Sequence, residues 1–263
     1  MSNIKFLYNY IIYKLSAKHK HGHGIHSPFV FDLVVNVIKD KVCYNGFEEI
    51  EALREELLKS EWEISVKDFG GGSNIYKSNL RKVKNIVKYS SIKKKYGQLL
   101  FRLVNYFKPG TIVELGTSLG ISSTYLALPN KMAKVFTIEG CPETARMAQK
   151  NFETLGIENI TINIGEFENE LPKVLNQIQQ NHFVFFDGHH KKGPTLSYFE
   201  QCLLKISNES LFVFDDIHLS KEMEEAWNEI KCHPKTKVTI DLFFLGIVFF
   251  KKELQKQHFI IRF

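Results

Sequence analysis

Residues 111–120 read TIVELGTSLG, an apolar run from Ile112 to Leu115 that breaks into a turn punctuated by Gly116 and Gly120. Four further runs of that kind follow, at 135–139, 160–164, 183–187 and 211–215. Helical patterns separate them; one spans 142–155, with Pro142 near its first turn and Gly156 at its stop. Runs that stay apolar for about five residues, without alternating, are the signature of strands buried on both faces of a parallel sheet. The alternation ends after residue 215. Residues 238–244 and 247–250, separated by Leu245-Gly246, predict a closing antiparallel hairpin, and 258–263 an edge strand. The expected fold is α/β: a doubly wound, Rossmann-like sheet ending in an antiparallel hairpin.

Upstream the pattern is different. Ile4, Leu7, Tyr8, Ile11, Ile12 and Leu15 recur at helical spacing and predict an amphipathic helix that needs an apolar surface to lie on. The stretch KHKHGHGIH, 18–26, reads as a solvated basic loop. Ser27 and Pro28 then form an N-cap and first-turn pair for a helix through about Ile38. Further helices are predicted over 47–58 and around Leu99, Leu100, Leu103, Val104 and Phe107, with a break at Gly70-Gly71-Gly72-Ser73 and a stop at Pro109-Gly110. Residues 1–109 thus read as a mostly helical cap bearing substrate specificity, and 110–263 as the cofactor-binding domain.

Composition excludes several classes. At 263 residues, with 44% hydrophobic and 24% charged, the chain is globular, neither disordered nor fibrous. Cys43, Cys141, Cys202 and Cys232 lie at least 30 residues apart with no C-x-x-C pair, which predicts reduced thiols and a cytoplasmic protein. The longest apolar stretch, 242–250, is too short to span a bilayer as a helix, and the N-terminal stretch lacks the plan of a signal peptide. Residues 1–100 carry 17 Lys and Arg against 10 Asp and Glu, and the remainder 18 against 19, so the net charge of +6 belongs to the front. Eight basic residues fall between Lys77 and Lys95 with no acid among them. Only Tyr76, Tyr89 and Tyr96 accompany that run, so a solvated face is expected there and not a single-strand stacking platform for nucleic acid.

The glycine turn is not a dinucleotide fingerprint, since Ser118 and Ile121 stand where G-x-G-x-x-G has its later glycines. An acid, Glu114, precedes the first glycine and suits a cationic cofactor; S-adenosylmethionine carries a sulfonium and an ammonium. Glu139 closes the second strand 23 residues after Gly116, where ribose hydroxyls need an acceptor, and Gly165-Glu166 follows the third, placed to contact adenine. Gly116, Thr117, Ser118 and Gly120 complete the expected cofactor set. Asp187-Gly188-His189-His190 ends the fourth strand and Asp215-Asp216-Ile217-His218 the fifth. Three carboxylates at neighbouring strand ends call for a cation, and a hard divalent ion such as Mg²⁺ takes oxygen ligands. Such an ion lowers a hydroxyl pKa, and His190 is placed to take the proton. Paired acids also cap strand ends without metal.

Through IVELGTSLG, VFTIEG, INIGE, FVFFDGHH and LFVFDDIH, residues 100–251 resemble the class I S-adenosylmethionine-dependent methyltransferases. The D-G-x-H element and the later acidic pair resemble the metal-dependent O-methyltransferases of small molecules, catechol-type and sugar-modifying. That resemblance implies Glu114 and Gly116 near the methionine part, Glu139 on the ribose, Glu166 near adenine, Asp187, Asp215 and Asp216 as metal ligands and His190 as general base. His189, His218, Lys191 and Lys192 depart from the pattern as competing bases, and the cap has no residue-by-residue match. The expected activity is methyl transfer to a small-molecule hydroxyl. Alternatives are an RNA methyltransferase using the basic front, and a non-catalytic cofactor-binding module whose N-terminal helix makes peripheral membrane contact. The sequence leaves a homodimer open.

Overall fold

The computed structural model describes residues 3–17, 24–67 and 79–263, except the side chains of residues 3–5 and 181. In chain order the elements are α1 (Asn3–Ser16), α2 (Pro28–Leu33, continued by a π-helical turn, Val34–Ile38), α3 (Asn45–Lys59), β1 (Glu63–Ser65), β2 (Leu80–Lys82), α4 (Val83–Ser90) and α5 (Lys94–Phe107). Then come β3 (Thr111–Leu115), α6 (Ile121–Ala127), β4 (Lys134–Glu139), α7 (Pro142–Thr154), β5 (Ile160–Ile164) and α8 (Phe167–Gln177). The remainder is β6 (Asn181–Phe186), α9 (Lys192–Leu203), β7 (Ile206–Asp215), α10 (Lys221–Cys232), β8 (Val238–Asp241), β9 (Leu245–Phe249) and β10 (Gln257–Ile260). Two units emerge, one of residues 42–179 and one joining 1–41 to 180–263. The boundary expected at 109/110 falls inside the first of these, between α5 and β3.

In the 42–179 unit, β3, β4 and β5 pair in parallel in that order. Each is reached through a helix, as parallel pairing demands. Ile112, Val113 and Leu115 of β3 are buried, which accounts for the unbroken apolar run. β5 is half-buried to exposed along its length, with Ile164 half exposed. Helices α3, α4, α5 and α6 pack on one another through Phe47, Ile50, Ile86, Leu100 and Tyr125. The short antiparallel pair β1–β2, three residues a side, was not expected. It carries part of the basic run: Lys82 and Lys84 both reach Glu61, whose carboxyl these ammonium groups hold down at about 2. Arg81 is buried, and Lys94 lies 3.8 Å from Glu51. Lys77, Tyr76 and Gly70 to Ser73 lie outside the described residues.

In the other unit the strand order is β10-β8-β9-β7-β6. β6 and β7 are parallel, β9 runs antiparallel to both β7 and β8, and β10 returns parallel to β8. The antiparallel hairpin is therefore present, but its turn is Leu242 to Phe244 and not Leu245-Gly246. Asp241 makes that turn by accepting the Phe243 N–H at 2.8 Å, with Phe243 at φ 72°. Leu245 and Gly246 are strand residues opposite Asp215 and Phe214. Gly246 is needed for packing: a Cβ there would sit 2.7 Å from the Trp227 indole. The core is aromatic, with Phe183, Phe185, Phe199, Phe212, Phe214 and Phe249 buried and Phe186 stacked 4.3 Å from Phe214.

Ser27 caps α2 as expected, its Oγ accepting the Val30 N–H. Helix α1 also forms, but with the opposite face inward. Phe6, Tyr10 and Tyr13 lie against Phe243 at 5.3, 5.0 and 5.2 Å, and the Tyr13 hydroxyl donates to the Ile261 carbonyl at 2.6 Å. The expected stripe, Leu7, Tyr8, Ile11, Ile12 and Leu15, is exposed, and the Ile4 side chain lies outside the described residues. All four cysteines are free thiols. No helix among the described residues is long and apolar enough to cross a membrane.

Candidate functional site

The glycine turn in the 42–179 unit leaves β3 with three left-handed residues in five: Gly116 at φ 106°, Ser118 at 49° and Gly120 at 81°. Gly120 starts α6, and a side chain there would strike Phe152 at 2.5 Å. Its backbone angle also disfavours any other residue. Glu139, at the end of β4, fastens this turn. One carboxylate oxygen accepts the Ser118 N–H at 2.7 Å, the other the Cys141 N–H at 2.9 Å. The group is half-buried, so its remaining lone pairs stay available in an orientation fixed by two backbone donors. Cys141 begins α7 and is itself held by Lys67 N–H and the Ser65 carbonyl, each at 3.4 Å.

Glu114 occupies a different setting from the one the sequence suggests. It is wholly buried, with one oxygen accepting from the Ser123 hydroxyl and from Thr137 at 2.7 Å. Its other oxygen has no hydrogen-bond partner among the described residues. Burial pushes this carboxyl up, against the downward pull of Ser122, Ser123 and Thr137. Burial thus disfavours the charged form of Glu114, whose side chain faces the Ser123 and Thr137 hydroxyls. Thr117 is likewise buried, its hydroxyl 2.5 Å from that of Thr137. Gly165, at φ 157°, and the exposed Glu166, N-cap of α8, follow β5.

In the other unit the ends of β6 and β7 are neighbours, Phe186 standing opposite Phe214. That register puts Asp187 beside Asp215. Burial first, then the charges of Asp216 and Asp187, push Asp215 well above the usual carboxylate range. His189, His190 and Asp216 all have positive φ, at 63°, 33° and 54°. Non-glycine residues in that region are costly and concentrate where side chains must be aimed.

The competing histidines separate by partner. His190 Nε2 lies 3.8 Å from Asp187 Oδ1, and burial lowers its pKa against the opposing pull of Asp216. An imidazole held neutral is competent to accept a proton. His189 packs edge-on to Tyr198 at 5.8 Å. His218 is half-buried and structurally engaged: its ring stacks on Phe243 at 5.1 Å, and its Nε2 lies 2.8 Å from Asp241, which also accepts from the Trp227 indole. The sequence reading missed Asp241, which serves the turn, the histidine and the tryptophan together. Lys192 is engaged by Glu225 and Glu229. Among the described residues no group of three His, Cys, Asp or Glu side chains is gathered as a metal-holding set. His19, His21 and His23 lie outside the described residues.

Residues 113–217 match a family model described as a methyltransferase domain. A protein-L-isoaspartate O-methyltransferase of Staphylothermus marinus is 40% identical over 67 residues, 22% of this chain and 30% of that protein. The match thus spans under a third of that relative's length. Among solved structures, the SAH-bound Podospora anserina methyltransferase PaMTH1 superposes with a TM-score of 0.59 at 13% identity, covering 86% of this chain and 97% of that one. An O-methyltransferase from Bacillus cereus in complex with SAH gives 0.56 at 18%, covering 84% and 97%. TomG from Streptomyces achromogenes, an O-methyltransferase involved in tomaymycin synthesis, solved with SAM, gives 0.56 at 15%, covering 84% and 94%.

Proposed function

From the class I methyltransferase fold and the methyltransferase domain it carries, we propose that this chain binds S-adenosylmethionine and transfers its methyl group to a hydroxyl of a small molecule. The observation that carries the reading is Glu139, a carboxylate fixed by two backbone N–H groups beside a turn of left-handed residues. It offers a ribose diol an acceptor that needs no reorganisation, while the turn lets the cofactor come close to backbone. Gly165 and Glu166 would serve the adenine, and Gly116, Ser118 and Gly120 the methionine part. The small-molecule acceptor is supported by the O-methyltransferases that share the fold.

His190 acts in this reading as general base, taking the hydroxyl proton while Asp187 orients it. The neighbouring acids fit a hard divalent cation by donor type: Asp187, Asp215 and Asp216 would hold Mg²⁺, which when bound would lower the acceptor's hydroxyl pKa. As they stand the three are not gathered as a metal-holding set, so they would have to move to serve as ligands. An RNA substrate is disfavoured by the ion pairs that engage Lys82, Lys84 and Lys94. Calorimetry with S-adenosylhomocysteine tests the proposal. Binding is expected, and a chain that binds NAD instead would overturn it.

A further inference from the structure

The inward face of α1 is fully engaged. Phe6, Tyr10 and Tyr13 seal it onto Phe243 and Phe244, and Asn9 donates to Glu224 at 2.6 Å. What remains outward is apolar: Leu7 is 57% exposed, Tyr8 61%, Ile11 48%, Ile12 44% and Leu15 80%. A helix docked through aromatics on one side and aliphatic on the other has no polar face, which is unusual for a surface helix.

Its charge setting says what covers it. Residues 1–31 contain Lys5, Lys14, Lys18 and Lys20 and no Asp or Glu. The Lys14 ammonium lies 5.2 Å from the Tyr10 ring, at the C-terminal end of the stripe. An apolar stripe bearing a tyrosine, in a segment whose only fixed charges are positive, has the chemistry of an interfacial helix on anionic lipid. A second copy of the chain fits less well. It would set like charge against like, and five residues fall far short of the roughly 20 to 30 per side of a standard interface.

We propose that α1 is a peripheral membrane anchor, its Leu7-Tyr8-Ile11-Ile12-Leu15 face entering the surface of an anionic bilayer. The tyrosine and lysine groups stay at headgroup level, while Phe6, Tyr10 and Tyr13 keep the helix attached to its own unit. The proposal is independent of the methyl-transfer chemistry.

Sedimentation of the full chain with phosphatidylglycerol-containing vesicles and with pure phosphatidylcholine vesicles decides it. Partition is expected to be at least about tenfold stronger on the anionic vesicles and to fall with salt, as juxtamembrane basic segments do. The triple variant L7S/I11S/L15S replaces exposed side chains only, so it should keep the wild-type melting temperature while losing the vesicle-bound fraction. K14E should weaken binding to anionic vesicles alone. Absence of binding to anionic vesicles overturns the proposal, as does binding that the triple variant leaves intact. A wild-type dimer that the triple variant converts to monomer, without vesicle binding, would assign the face to a second copy instead.

Discussion

Replacing Glu139 by alanine tests the cofactor reading at the residue that carries it. The carboxylate accepts two backbone N–H groups, at 2.7 and 2.9 Å, and in the proposed complex the ribose diol as well. A hydrogen bond to a charged acceptor contributes about 1.5–3 kcal/mol. Water partly replaces the lost acceptor at this half-buried position, and the Ser118 and Cys141 donors can turn to water too, so the net loss is about 1–3 kcal/mol. At about 1.4 kcal/mol per tenfold, the Kd for S-adenosylhomocysteine should rise about 5- to 150-fold. Glu139→Gln keeps one acceptor oxygen but turns an amide donor toward one of the backbone N–H groups, and should fall between wild type and alanine. Titration calorimetry gives the affinity, and a melting curve shows whether the turn has come apart. An alanine variant that is folded and binds within twofold of wild type would refute the assignment.

Four other outcomes follow from the proposed function and the packing. His190→Ala should lower turnover by about 10² to 10⁴, whereas His218→Ala should leave the rate of the folded protein intact and cost about 1–3 kcal/mol in denaturant melts, because His218 supports Phe243 and Asp241. Gly246→Ala forces a Cβ to 2.7 Å from Trp227 and should destabilise by about 1–3 kcal/mol, seen as a lower denaturant midpoint with unchanged slope. In a substrate-matched assay, chelator should abolish activity and Mg²⁺ restore it, with Asp215→Asn inactive at near-normal cofactor affinity; chelator-resistant turnover would remove the metal from the mechanism. Glu114 holds its proton more tightly folded than unfolded, so above the usual carboxyl range the unfolded chain binds fewer protons and stability falls as pH rises. Glu114→Gln removes that loss, and its stability relative to wild type should improve between pH 4 and pH 7 in chemical melts.

Strands such as β3 were legible because burial on both faces writes itself as an unbroken apolar run, while 160–164 coincides with β5 residue for residue although that strand is only half-buried. The first half of β7 escaped notice, since Ser207, Asn208, Glu209 and Ser210 are polar. Where reading failed, a distant partner decided. The period of α1 was plain, but its phase was set by Phe243 and by an Ile261 carbonyl 248 positions from Tyr13, and aromatics won the inward face over aliphatics. Gly246 read as a turn because glycine usually is one, while here Trp227 needed the space. His189, His190 and His218 are the same letter at strand ends, and only Tyr198, Asp187 and Asp241 tell them apart.

The acids at the strand ends of the two units make the same point about chemistry. Glu114, Glu139 and Asp215 all stand in or at the end of a strand, and from the sequence each is one more carboxylate facing a crevice. Their surroundings divide them. Glu139 meets two backbone N–H donors at a half-buried position, and it suits a neutral diol. Glu114 meets hydroxyls in a fully buried place, where desolvation outweighs them, and it suits support of the turn. Asp215 meets two other acids, a repulsion answered by a shared proton or by a cation, and it suits a site where charge must change during the reaction. A reaction that releases a proton from a hydroxyl needs a base that is free to take it, and His190 stands 3.8 Å from Asp187, the acid beside Asp215.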